Sequence, residues 1–119
     1  MSVTETAWHP FCADAELPVD GKIAQEVEGW AVLVIRSAEG LRAMIDRCTH
    51  QAALLSTGRV RRGAIMCPLH GARFEVDTGR CIGGAYAPLR LFETRVVDGM
   101  IEVAVPVSPP GPSERPVRS

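Results

Sequence analysis

A mostly β fold is predicted for this 119-residue chain by three observations. Short apolar runs alternate with Gly-containing turns from Ile23 to Ile45, and a second pair of runs flanks Asp98-Gly99. No stretch carries a sustained apolar stripe with the period of a helix. Ile23–Val27 is short and partly alternating, and Glu28-Gly29 turns it into Trp30–Ile35. That second run is too continuously apolar to face water on one side, so it is expected at the centre of a sheet. Ala38-Glu39-Gly40 turns again into Leu41–Ile45, which completes an antiparallel meander. Towards the other end, Leu91–Val97 and Met100–Val105 read as a hairpin around Asp98-Gly99, a dipeptide favoured in two-residue turns because both positions tolerate positive φ. Ala13–Leu17 has room for one helical turn. From Cys48 to Leu89 the chain is Gly-rich and short on long strands; Ile65-Met66 and Arg73–Val76 are brief runs, with Asp77–Arg80 as the turn after them. This segment reads as a smaller subdomain set into the β framework. One domain is expected over residues 1–105, followed over 106–119 by a Pro-rich tail that is extended or disordered.

Composition narrows the function. Hydrophobic residues make up 46% of the chain and charged ones 23%, ordinary for a globular protein, and the net charge of -1 predicts no general affinity for nucleic acid or an acidic membrane. The charge is unevenly placed. Residues 1–58 hold four basic and eight acidic side chains, whereas residues 59–95 hold seven arginines against Glu75, Asp77 and Glu93. The first part is thus -4 and the second +4, which allows a charged face towards a protein partner. No run approaches the roughly 18 apolar residues that span a bilayer, and the start M-S-V-T-E-T-A-W does not look like an export signal. A cytoplasmic location is therefore expected, where thiols stay reduced and four cysteines read as metal ligands or small core residues before they read as bridges.

The chemistry is concentrated between Asp46 and Val76. Two of the four cysteines and two of the three histidines fall there, as C-T-H (Cys48, His50) and, after sixteen intervening residues, C-P-L-H (Cys67, His70). A zinc site could use two of each, but the usual zinc modules pair Cys with Cys and His with His. A Cys–His catalytic dyad needs one such pair, and no feature nominates either thiol as nucleophile. One thiol and one imidazole on each of two loops suit two metal ions that each take their own ligand type, thiolates on one iron and imidazoles on the other.

C-T-H-x16-C-P-L-H resembles the ligand signature of Rieske proteins, and H-G-A-R-F-E-V-D-T-G, starting at His70, is similar to the segment that succeeds the signature in that family. The order of meander, insertion and hairpin is similar too, so the resemblance runs from about Trp8 to Val105. It implies a Rieske-type antiparallel β-sandwich whose cluster-binding subdomain is inserted at about residues 46–90. It also implies one [2Fe-2S] cluster per chain, with Cys48 and Cys67 on the inner iron and His50 and His70 on the outer one.

Within the family, high-potential members carry an extra cysteine in each cluster loop, where this chain has Ala53 and Leu69. They also carry a serine and a tyrosine where it has Ala72 and Phe74. Removing hydroxyl donors near the sulfurs disfavours the reduced cluster, so a potential near the bottom of the Rieske range, about -150 mV, is implied. Only His9 remains once the ligands are assigned, and the chain is too short for an oxygenase catalytic subunit. It therefore resembles soluble ferredoxins of bacterial aromatic oxygenase systems. Such a protein is not an enzyme but a monomeric carrier, passing one electron from an NAD(P)H-dependent flavoprotein reductase to a terminal aromatic-ring-hydroxylating dioxygenase. Gln51 after the first histidine is more like a toluene monooxygenase ferredoxin, and a nitrite reductase small subunit is a further alternative. Gly83–Pro88 resembles the family's third cluster loop, Arg59, Arg61 and Arg62 are candidates for docking, and Cys12 and Cys81 are expected to be small buried hydrophobes.

Overall fold

The computed structural model describes residues 5–48, 54–68, 71–83 and 86–111. Among these described residues nine strands run in order: β1 (Thr6–Ala13), β2 (Lys22–Val27), β3 (Trp30–Ser37), β4 (Gly40–Ile45), β5 (Arg59–Arg61), β6 (Ala64–Met66), β7 (Arg73–Glu75), β8 (Leu91–Val97) and β9 (Met100–Pro106). Every pairing is antiparallel. Six strands form one curled sheet in the order β1-β9-β8-β4-β3-β2, and β5-β6-β7 form a second. The mostly β expectation and the position of the subdomain between meander and hairpin are both met. Among the described residues no helix is long and apolar enough to cross a membrane.

Two-residue turns set the register. Glu28-Gly29, Arg62-Gly63 and Asp98-Gly99 each place both residues at positive φ, between 50° and 87°. That is the geometry whose twist matches a β-hairpin, and glycine at the second position adopts it without a Cβ clash. The strand β8 then does two jobs. Leu91 and Phe92 pair with Met44 and Ala43 of β4, whereas Glu93 to Val97 pair with β9. One strand thus belongs to both leaves of the sandwich. At the open edges, the Gln25 amide of β2 donates to the Phe11 carbonyl of β1 at 2.8 Å; from β3, Arg36 bonds to the Leu17 carbonyl and pairs with Asp14.

Sequence reasoning assigns no strand before Ile23, yet β1 occupies Thr6–Ala13. Its alternation is broken by Pro10 and by a bulge between Pro10 and Cys12, which is tolerated because β1 is an edge strand. The short β5 also escapes it: Val60 is its only apolar residue, between two arginines.

Val32, Leu33, Val34 and Ile35 of β3 are all fully buried. Successive side chains on a strand point to opposite faces, so both faces of β3 are covered. The same apolar cluster runs on through Leu55, Ile65, Phe74 and Val76 of the subdomain. Asp77 adds a polar tie, accepting from the Ser37 hydroxyl at 3.3 Å and pairing with Arg42 at 3.1 Å. Beyond Pro106 the chain stays on the body as far as Gly111. Val107 N–H donates to the Glu5 carbonyl at 2.9 Å, the Trp30 indole donates to the Ser108 carbonyl at 3.0 Å, and Pro110 is buried. Residues 112–119 lie outside the described residues. Because Leu33 is central on a strand covered on both faces, Leu33→Ala is expected to cost about 2–5 kcal/mol; denaturant titration of the apoprotein measures it.

Candidate metal centre

Cys48 stands three residues beyond β4, and Cys67 comes directly after β6. Both belong to the hydrophobic cluster, with 0% and 1% of their surface exposed. None of the four cysteines forms a disulfide. His50 and His70 lie outside the described residues, as do Gln51, Ala53, Leu69, Gly84 and Ala85. Among the described residues no group of three His, Cys, Asp or Glu side chains gathers around a point. A site with more than two protein ligands would therefore draw on positions outside them.

Each thiol-bearing loop is pinned at its base. In the first, Asp46 is buried at 3% exposure; its N–H donates to the Ala31 carbonyl at 2.8 Å, and its carboxylate accepts the Ser56 N–H at 2.7 Å. One side chain thus ties the end of β4 to the turn of 3-10 helix over Leu55–Thr57. That turn buries Leu55 and closes with the Gly58 N–H on the Leu55 carbonyl at 2.8 Å. Gly58 has no room for a side chain: a Cβ there would lie 1.8 Å from the Met66 carbonyl oxygen, one residue before Cys67. In the second loop, Cys67 N–H donates to the Ala72 carbonyl at 2.7 Å and Gly71 N–H donates back to the Cys67 carbonyl at 3.1 Å. The chain beyond is laid against β7 by the Ile82 N–H on the Arg73 carbonyl at 2.8 Å and a bridge between Phe74 and Cys81.

A buried cysteine can be a small core hydrophobe, so burial alone does not decide. Two buried thiols, each on a separately pinned loop, make a donor pair that a soft metal would take. The Rieske [2Fe-2S] domain matches residues 7–93. This chain belongs to that family. The anthranilate 1,2-dioxygenase ferredoxin subunit of Burkholderia cepacia is 36% identical to it over 104 residues, spanning 86% of this chain and 95% of that protein. The ferredoxin CarAc of Metapseudomonas resinovorans is 33% identical over 99 residues, spanning 82% and 92% respectively. A chain in a solved complex of reduced oxygenase and oxidized ferredoxin in carbazole 1,9a-dioxygenase superposes with a TM-score of 0.75 at 32% identity, covering 82% of this chain and 92% of that one.

The cofactor of a Rieske domain is a [2Fe-2S] cluster, and the residues present fit it. Two thiols are sheltered, neither is spent in a disulfide, and the loops that bear them are held in place by backbone bonds. Ala72 and Phe74 are both buried, and neither carries a hydroxyl.

Sequence reasoning misses Asp46 and Gly58. The first could be sought as a carboxylate two residues before Cys48; the second is visible only once β6 lies against it. The expectation for Cys12 and Cys81 needs correction. They pack against the core but are only half-buried, because Cys12 lies on the edge strand β1 and Cys81 beside a turn.

This geometry has two measurable outcomes. Asp46→Ala leaves the Ser56 N–H without its acceptor, so apoprotein stability should fall by about 1–3 kcal/mol and cluster loss, monitored by bleaching, should quicken; Asp46→Asn should retain most of both. Burial, reinforced by Glu16 and Asp14 and opposed by Arg36, raises the Cys12 thiol above its ordinary value. The folded state therefore holds that proton more tightly, and this contribution to stability is lost as pH rises past the unfolded value and through the folded one. Iodoacetamide should label Cys12 with a pH midpoint above that of the unfolded chain, as mass spectrometry of the modified peptide will read.

Proposed function

We propose that this Rieske domain is a one-electron carrier, the ferredoxin component of an aromatic-ring-hydroxylating dioxygenase system. Cys48 and Cys67 hold the inner iron of the cluster, and His50 and His70 the outer one. The protein works as a monomer between an NAD(P)H-dependent flavoprotein reductase and a terminal oxygenase, and itself performs no oxygen chemistry. The observation that carries this reading is coverage: the chain aligns with 95% of the anthranilate dioxygenase ferredoxin subunit.

When bound, the cluster accepts and releases one electron. The remaining work falls to the protein. Burial of Cys48 and Cys67 keeps water from the sulfur-ligated side, which limits solvent reorganisation when the charge changes. The Asp46–Ser56 and Cys67–Ala72 hydrogen bonds hold the bases of the two loops in place. With Ala72 and Phe74 offering no hydroxyl to the sulfurs, the reduced state gains no extra stabilisation there, which supports a potential near the low end of the Rieske range.

The purified protein is expected to contain two irons and two sulfides per chain and, when reduced, to give the low average g value of mixed Cys/His ligation. His70→Cys should keep a cluster but lower its potential by about 100 mV or more, towards all-cysteine ferredoxins. Protein-film voltammetry compares the two forms, and an unchanged potential would remove His70 from the ligand set. Product formation by a terminal dioxygenase that depends on both this protein and a reductase tests the carrier role itself.

A further inference from the structure

The three-stranded sheet of the subdomain has one face in the core and one in solvent. Val60, Ile65 and Phe74 point inwards, while Arg59, Arg61, Met66 and Arg73 are exposed. Register lines these up across the strands. Arg59 is opposite Met66 and Met66 is opposite Arg73, so an exposed thioether lies between two guanidinium groups. Arg62 sits in the turn at the end of β5, and Ile82 extends the sheet beside Arg73. Together they line a groove of ≈ 480 Å³ with an arginine rim and an apolar floor.

Two features mark the groove as unsatisfied within this molecule. Among the described residues none of Arg59, Arg61, Arg62 and Arg73 takes part in an ion pair. Glu75, the carboxylate on the same face, is engaged by the Thr78 hydroxyl at 2.6 Å. The floor residues Met66 and Ile82 are 40% and 38% exposed, high for large apolar side chains. Arginine and methionine around a desolvatable centre are what protein interfaces enrich, and guanidinium groups grip carboxylates through paired N–H donors. The groove also lies beside the second cluster loop, since Met66 precedes Cys67 and Arg73 comes after Ala72.

We propose that this groove is the docking surface for an acidic protein redox partner, one that sets carboxylates on the arginine rim and an apolar side chain on Met66 and Ile82. The proposal rests on the carrier reading above and names the chemistry of the partner. An acidic surface seated here stands next to the loop that carries Cys67, and attraction between the rim and that surface speeds encounter without requiring a tight complex.

The test uses the reduced holoprotein and the triple variant Arg59→Gln/Arg61→Gln/Arg62→Gln. Stopped-flow oxidation by the anion hexacyanoferrate(III) at low ionic strength should slow by roughly tenfold in the variant, and the difference should vanish at high salt. Oxidation by the cation tris(phenanthroline)cobalt(III) should not slow. Poly-L-glutamate, the acidic polypeptide used as probe, should inhibit hexacyanoferrate oxidation of the wild type and leave the variant unaffected. Equal slowing with both oxidants, no slowing with the anion, or equal inhibition by poly-L-glutamate overturns the proposal. A wild-type dimer at low salt that the triple substitution dissolves also overturns it, because the occupant would then be the acidic part of a second copy. The visible spectrum and potential of each form are recorded first: a wild type without a reducible cluster defeats the carrier reading, whereas altered docking with an intact cluster bears on the groove alone.

Discussion

A loop that offers a soft ligand must be held still without being filled with side chains, and here backbone hydrogen bonding meets that constraint. The Asp46 carboxylate captures the Ser56 N–H across ten residues of sequence, and the Ala72 carbonyl captures the N–H of Cys67 itself. Both anchors sit where a strand ends and the apolar core begins. Asp46 is buried because it has an N–H to accept, and an acceptor-only carboxylate at 3% exposure would otherwise be costly. These anchors set the position of the two thiols, and the core that the anchors close over gives the thiols their shelter.

The framework and the subdomain do not have separate interiors. One apolar cluster runs from Val32–Ile35 of β3 to Phe74 and Val76 beside β7, so the loops are mounted on the same packing that stabilises the sandwich. Within that cluster Trp30 and Phe92, T-shaped with centroids 5.7 Å apart, join β3 to β8. A weakened sandwich core would for this reason be felt at both thiol-bearing loops, even though Cys48 and Cys67 lie outside the strands.

Legibility in the sequence tracks how local the determinant is. The burial of β3 can be read from six consecutive apolar residues, and the hairpin of β8 and β9 from Asp98-Gly99, because run length and turn chemistry are properties of neighbouring residues. The motifs C-T-H and C-P-L-H are visible as well, since they are local spacings, and both of their cysteines prove to be buried. What escapes depends on distant partners. Gly58 matters because of the Met66 carbonyl, Asp46 because of Ser56, and β1 exists because β9 accepts it despite Pro10. The arginines of β5 show in the sequence as a charge excess, but only the register of β5, β6 and β7 puts Met66 between Arg59 and Arg73.

The double membership of β8 has a consequence for how such a protein is made. The residues that join the two leaves, Leu91 to Val97, come after every residue of both thiol-bearing loops. As the chain leaves the ribosome, Cys48 and Cys67 therefore emerge before the strands that join the two leaves. The two leaves cannot be joined until both cysteines have been synthesised, and the last hairpin is what joins them.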